Sequence, residues 1–128
     1  IPELSGKLTG NAIRVPTPNV SLAVLVLNLK EEVTKAELNE FLKNSAFTSK
    51  YRQIIGYTNS PEAVSTDFYS SPFATIVDSQ ATIAEGKQVT LYCWYDNEFG
   101  YSKQVLNLTK KVAKIELPRF PKAIDPSV

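Results

Sequence analysis

Two hydrophobic periods alternate along this chain, and the points where one gives way to the other mark its elements. From Val20 to Leu29 the residues are almost all Val, Leu and Ala, bounded by Pro18 and by Lys30-Glu31-Glu32. That length and branched content predict a central strand covered on both faces. Thr34 and Glu37 then form a T-x-x-E capping box, and Leu38, Phe41, Leu42 and Ala46 follow at helical spacing. A helix is expected from Lys35 to Ala46, its apolar stripe on the sheet.

Upstream, Ala12-Ile13-Arg14-Val15 suggests a short strand over Asn11–Val15, stopped by Pro16 and Pro18, because proline cannot donate to a ladder. Downstream, a helical turn and a strand over Ile54–Tyr57 precede TNSPEAVSTDFYSSPFAT, a segment dense in turn residues. It reads as loop with strand fragments near Val64–Phe68 and Thr75–Val77. Ala81–Ala84 and Gln88–Tyr95 then form a hairpin around Glu85-Gly86-Lys87. In its second strand Val89, Leu91, Cys93 and Tyr95 point one way, and Thr90, Tyr92 and Trp94 the other. Beyond Gly100, the stripe Tyr101, Val105, Leu108, Val112 and Ile115 predicts an amphipathic helix with a core-facing side. Asp96 and Glu98 precede it and Lys110, Lys111 and Lys114 crowd its end, the charge order its dipole favours. Pro118 and Pro121 are its expected stop.

Composition narrows the function classes. The 128 residues, 43% hydrophobic, suffice for one domain with a core. Net charge is +1, which provides no footprint for nucleic acid or an acidic membrane. The longest apolar run is far below the roughly 20 residues of a membrane span. A single cysteine and the absence of a signal-peptide pattern favour a reducing, cytoplasmic setting. There is no histidine, which removes His-based triads, Cys–His pairs and His-containing zinc sites from these residues. No metal site is expected. The five glycines fit no phosphate-binding loop pattern. The chain also contains no methionine, as a piece of something longer would allow.

Candidate chemistry gathers at Leu91–Ser102, LYCWYDNEFGYS, where a strand empties through Asp96-Asn97-Glu98 into a helix. Such a junction presents backbone N–H groups and side-chain amides to a ligand. Arg14 has two readings: a solvent-facing arginine on an edge strand, or a guanidinium gripping a phosphate or carboxylate.

KLTGNAIRVPTPNVS at Lys7–Ser21, IIGYTNSPEAVSTDF in the middle and WYDNEFGYS at Trp94–Ser102 resemble glyceraldehyde-3-phosphate dehydrogenases, in that family's order. The resemblance runs from Ile1 to about Ala113, and the extra tail looks more like the longer bacterial members. It implies an α+β fold: a mostly antiparallel β-sheet with helices packed on one face, part of the catalytic domain. Residues 1–117 would be that part, and 118–128 a proline-rich tail. The implied reaction is phosphorylating, NAD-dependent oxidation of glyceraldehyde 3-phosphate in glycolysis, with NADP left open. The family's catalytic cysteine and histidine, and its Rossmann domain, lie upstream of these residues, so the chain alone should be inactive and no catalytic residue is assigned.

Three positions match family site residues. Arg14 matches the arginine that binds substrate or inorganic phosphate. Asn97 matches the asparagine that holds the nicotinamide carboxamide, although an asparagine there could equally cap the helix. Tyr101 matches the tyrosine beside the nicotinamide ring, and it also begins the helix's apolar stripe. Glu98 is expected to be structural. Cys93 lies outside the catalytic-cysteine motif and reads as a small buried hydrophobe. The run SLAVLVLNL at Ser21–Leu29 departs from the family by lacking an acidic residue. A homo-oligomer is expected, with an erythrose 4-phosphate dehydrogenase or a non-catalytic interaction module of the same fold as alternatives.

Overall fold

The computed structural model describes residues 1–115. Four strands form one mixed sheet in the order β1-β4-β3-β2, with β1 Ser21–Asn28, β2 Ile55–Thr58, β3 Thr75–Glu85 and β4 Gln88–Tyr95. The β1/β4 and β3/β4 pairs are antiparallel, and β2 runs parallel to β3. Two α-helices, α1 Lys35–Phe47 and α2 Phe99–Val112, complete the expected α+β fold.

The helix α1 forms where its capping box places it. Thr34 Oγ1 accepts the Glu37 N–H at 3.3 Å, and the Glu37 carboxylate accepts the Thr34 N–H at 2.9 Å. Leu38 and Leu42 pack with Val77, Leu91 and Cys93, together with Ala23, Ile55 and Tyr57, to make the core on this face. Phe41, expected in the stripe, is exposed instead. On the opposite face a second cluster joins Val20, Phe68 and Ile76 with Ala63, Phe73 and Trp94. Cys93 and Trp94 thus point to opposite faces, as the alternation requires.

Several expectations are corrected. Asn11–Val15 forms no strand: it is irregular and exposed, and both edges of β4 are already occupied by β1 and β3. β1 is an edge strand rather than a central one, and Leu22, Val24 and Val26 stand exposed along it. Val64–Phe68 holds a 3-10 turn over Ser65–Phe68 in place of a strand fragment, because the Asp67 carboxylate turns back to accept the Val64 N–H at 2.9 Å. Thr75–Val77 and Ala81–Ala84 belong to one strand, β3, whose register shifts between Asp78 and Ile83. Asp78 Oδ1 stabilises that irregularity by accepting the Gln80 and Ala81 N–H groups at 3.1 and 3.3 Å. At the hairpin, Gly86 has φ +59°, a left-handed conformation that glycine adopts readily because it has no Cβ to clash.

The stripe of α2 is the largest departure. Tyr101, Val105, Leu108, Val112 and Ile115 are all exposed, whereas Lys103, Gln104, Asn107 and Lys110 are half-buried. The helix therefore turns its polar side to the rest of the described chain. It also ends at Val112, before Pro118: Lys114 takes φ +55°, and the Ile115 and Lys114 N–H groups bond back to the Lys110 and Lys111 carbonyls at 2.9 and 3.1 Å. That is a Schellman-type stop. The expected tail, 118–128, lies outside the described residues.

Candidate functional site

At the exit of β4, Asp96 is only 3% exposed, yet both its carboxylate oxygens are fully employed. Oδ1 accepts the Phe99 N–H at 2.7 Å and the Glu98 N–H at 3.0 Å, closing the turn that starts α2. Oδ2 accepts the Ser70 N–H at 2.9 Å and the Asn19 side-chain amide at 3.0 Å. Burial alone would raise this carboxyl's pKa. The bonds from Phe99, Ser70, Glu98 and Asn19 outweigh that effect and hold it below the usual carboxylate range.

Two of the segments that meet at this carboxylate are strained. Val20, beside Asn19, has φ 71°, a left-handed conformation that is a true outlier for a β-branched residue. Its N–H bonds to Asn19 Oδ1 at 2.7 Å. Ser70 is left-handed as well, at φ 58°. The loop behind it forms a floor for the helix entry. Trp94 stacks on Phe68 with ring centroids 5.4 Å apart, and its indole N–H donates to Asp78 Oδ2 at 3.2 Å. Gln104 donates to the Pro72 carbonyl at 3.1 Å, and Gly100 lies against the Phe73 carbonyl.

Asn97 emerges from this framework exposed. The capping role left open for it belongs to its neighbour, since Asp96 takes the N–H groups at the helix entry. Tyr101, four residues on, is 71% exposed, so it is not a packing residue within the described chain. Arg14 is exposed in irregular chain, five residues before Asn19. The Asn19–Asp96 bond thus ties the segment that carries Arg14 to the turn that carries Asn97. Cys93 is buried, and burial pushes its thiol pKa up, only partly offset by a hydrogen bond with Thr75.

Sequence reasoning missed Asn19 and Ser70 as site-building residues, and it placed Asp96 in the polar cluster without giving it a role of its own. Asp96 carried a readable local signal, an aspartate at a strand exit with N–H groups two and three residues on. Its bonds to Asn19 and Ser70, 77 and 26 residues away, leave no trace in local pattern.

Most of this framework, through Asn97, lies within the part of the chain that matches a known family. The model for the glyceraldehyde 3-phosphate dehydrogenase C-terminal domain matches residues 1–97. The chain belongs to the glyceraldehyde-3-phosphate dehydrogenase family. It is 52% identical over 95% of its length to a glyceraldehyde-3-phosphate dehydrogenase-like protein of Pseudomonas aeruginosa. It is 46% identical over 88% of its length to glyceraldehyde-3-phosphate dehydrogenase 2 of Bacillus subtilis, and 44% over 89% to the glyceraldehyde-3-phosphate dehydrogenase of Zymomonas mobilis. The match covers 26%, 33% and 34% of those proteins, so the chain spans a quarter to a third of these dehydrogenases. What the family shares with this chain is therefore its C-terminal domain. Among the described residues, no helix is long and apolar enough to cross a membrane.

Proposed function

We propose that this chain is the C-terminal catalytic-domain segment of a phosphorylating, NAD-dependent glyceraldehyde-3-phosphate dehydrogenase of the cytoplasm. In this reading Arg14 binds the phosphate of glyceraldehyde 3-phosphate or inorganic phosphate, and Asn97 and Tyr101 face the nicotinamide. The observation that carries it is the release of Asn97 from helix capping. With Asp96 holding the turn, the exposed Asn97 amide is free both to donate to and to accept from a carboxamide. NAD, when bound, supplies the hydride acceptor. The chain's part is to orient that ring through Asn97 and to anchor the substrate's charge through Arg14, whose planar guanidinium suits phosphate.

The outward stripe of α2 supports the same reading. A helix that presents its polar side to its own domain and its apolar side outward is built to be covered, here by the N-terminal Rossmann domain. The exposed Leu22, Val24 and Val26 of β1 likewise support a homo-oligomer.

Steady-state kinetics of the full-length protein test this reading. Arg14→Ala should raise KM for glyceraldehyde 3-phosphate or inorganic phosphate by about tenfold to a hundredfold, the loss expected for a charged hydrogen bond. Asn97→Ala should raise KM for NAD by about tenfold. Running the assay with erythrose 4-phosphate and with NADP ranks the rival substrate and cofactor. The isolated chain should form no NADH; turnover by it, or unchanged constants in both variants, overturns the reading.

A further inference from the structure

The Asp96 carboxylate touches three separate parts of the candidate site: the Asn19 amide, the Ser70 N–H and the start of α2. Two of these parts carry left-handed non-glycine residues, Val20 and Ser70, each at or next to a residue bonded to Oδ2. Conformations of this kind persist only where surrounding bonds over-determine them. The Val20 turn sets the direction in which chain leaves β1 toward Arg14, and the Asp96 turn sets where Asn97 stands.

We propose that Asp96 is a positioning residue that, through Asn19, locks the Arg14 segment and the Asn97 turn in one fixed register. This deepens the functional reading above and rests on it. One consequence separates it from ordinary fold support. Asn19 lies on the phosphate side, five residues from Arg14, yet its removal must be felt on the nicotinamide side. Without the Asn19 amide, Oδ2 keeps only the Ser70 N–H, the Val20 turn loses its local acceptor, and the two segments relax independently.

The experiment compares full-length wild type, Asn19→Ala, Asp96→Asn and the double variant, with Arg14→Ala and Asn97→Ala as references. KM and kcat are measured separately against NAD and against glyceraldehyde 3-phosphate. Asn19→Ala should raise KM for NAD by about fivefold to tenfold, less than the full loss of a charge-assisted hydrogen bond because the effect reaches the nicotinamide side through the turn. The two changes should combine less than additively in KM for NAD, because both remove the Asn19–Asp96 link, although Asn19→Ala removes the Val20 bond as well. Should Asp96→Asn fail to fold, the milder Asn19→Ala still decides. If Asn19→Ala lowers only the thermal midpoint and leaves KM for NAD within about twofold of wild type, the residue is structural and the coupling is overturned. That result, with normal losses in Arg14→Ala and Asn97→Ala, overturns the coupling alone. Unchanged constants in those two references overturn the functional reading and the coupling with it.

Discussion

Gly100 approaches the Phe73 carbonyl so closely that a Cβ at this position would stand 2.6 Å from the carbonyl oxygen. The obstacle is backbone, which cannot swing aside as a flexible side chain could. Gly100 is also the only buried residue of α2, so this contact, with the bond from Gln104 to Pro72, is what seats the helix. Gly100→Ala is therefore expected to destabilise the protein by about 1–3 kcal/mol despite alanine's better helix propensity. Urea denaturation of the full-length variant measures it. A midpoint equal to or above that of wild type would mean that the helix can shift without cost.

The same close approach shows what local pattern can and cannot convey. The start of α1 was legible because its signal is local: Thr34 and Glu37 are three residues apart and bond each other. So was the hairpin, which needs only Gly86 between two strand-like runs. The position of β1 was not legible. Leu22, Val24 and Val26 on one face and Ala23, Leu25 and Leu27 on the other read as a strand covered twice, whether the cover comes from this chain or from another surface. In the described chain only Ala23 of β1 packs in the core with α1, and Leu25 and Leu27 on its side are exposed along with Leu22, Val24 and Val26.

Side-chain to backbone bonds account for the other departures. Asp67 and Asp78 each redirect a short stretch that strand propensity alone would extend or interrupt. For the candidate site, the family motifs marked Arg14, Asn97 and Tyr101, yet the residues that assemble their surroundings had to be seen folded. Asn19 and Asp96 meet only because β1 pairs with β4, Ser21 opposite Tyr95. Sheet register created that meeting, and register is a non-local property.

The β1 face leads to a second expectation. Register places Leu22, Val24 and Val26 beside Trp94, Tyr92 and Thr90, forming an apolar strip on the sheet face away from α1. Proteins blunt such edges with charge when nothing is to bind there, and this strip has none. Val24→Lys combined with Val26→Lys in the full-length protein should shift it to a smaller species in sedimentation velocity. Retention of the wild-type species would remove this face from the subunit contact.

Acid sensitivity should concentrate at Asp96. Its carboxyl titrates lower in the folded protein than in the unfolded chain, because four donated hydrogen bonds outweigh the effect of burial. The sign follows from linkage: the unfolded state binds the proton more readily, so the stabilisation is complete above the ordinary aspartate pKa. It is lost as pH falls through the lower folded value. Protonation would turn an acceptor of four bonds into a group with a proton of its own facing donors, and α2, Asn19 and Ser70 would loosen together. Urea midpoints of the full-length protein, taken from about pH 6 down to about pH 2, should fall steeply at the acid end. Asp96→Asn should be less stable at neutral pH, with a shallower acid slope, since it has no carboxyl to titrate. An equally steep slope in the variant would assign the acid transition to other carboxylates. A shallower slope together with a raised KM for NAD near neutral pH would trace both effects to the same four bonds.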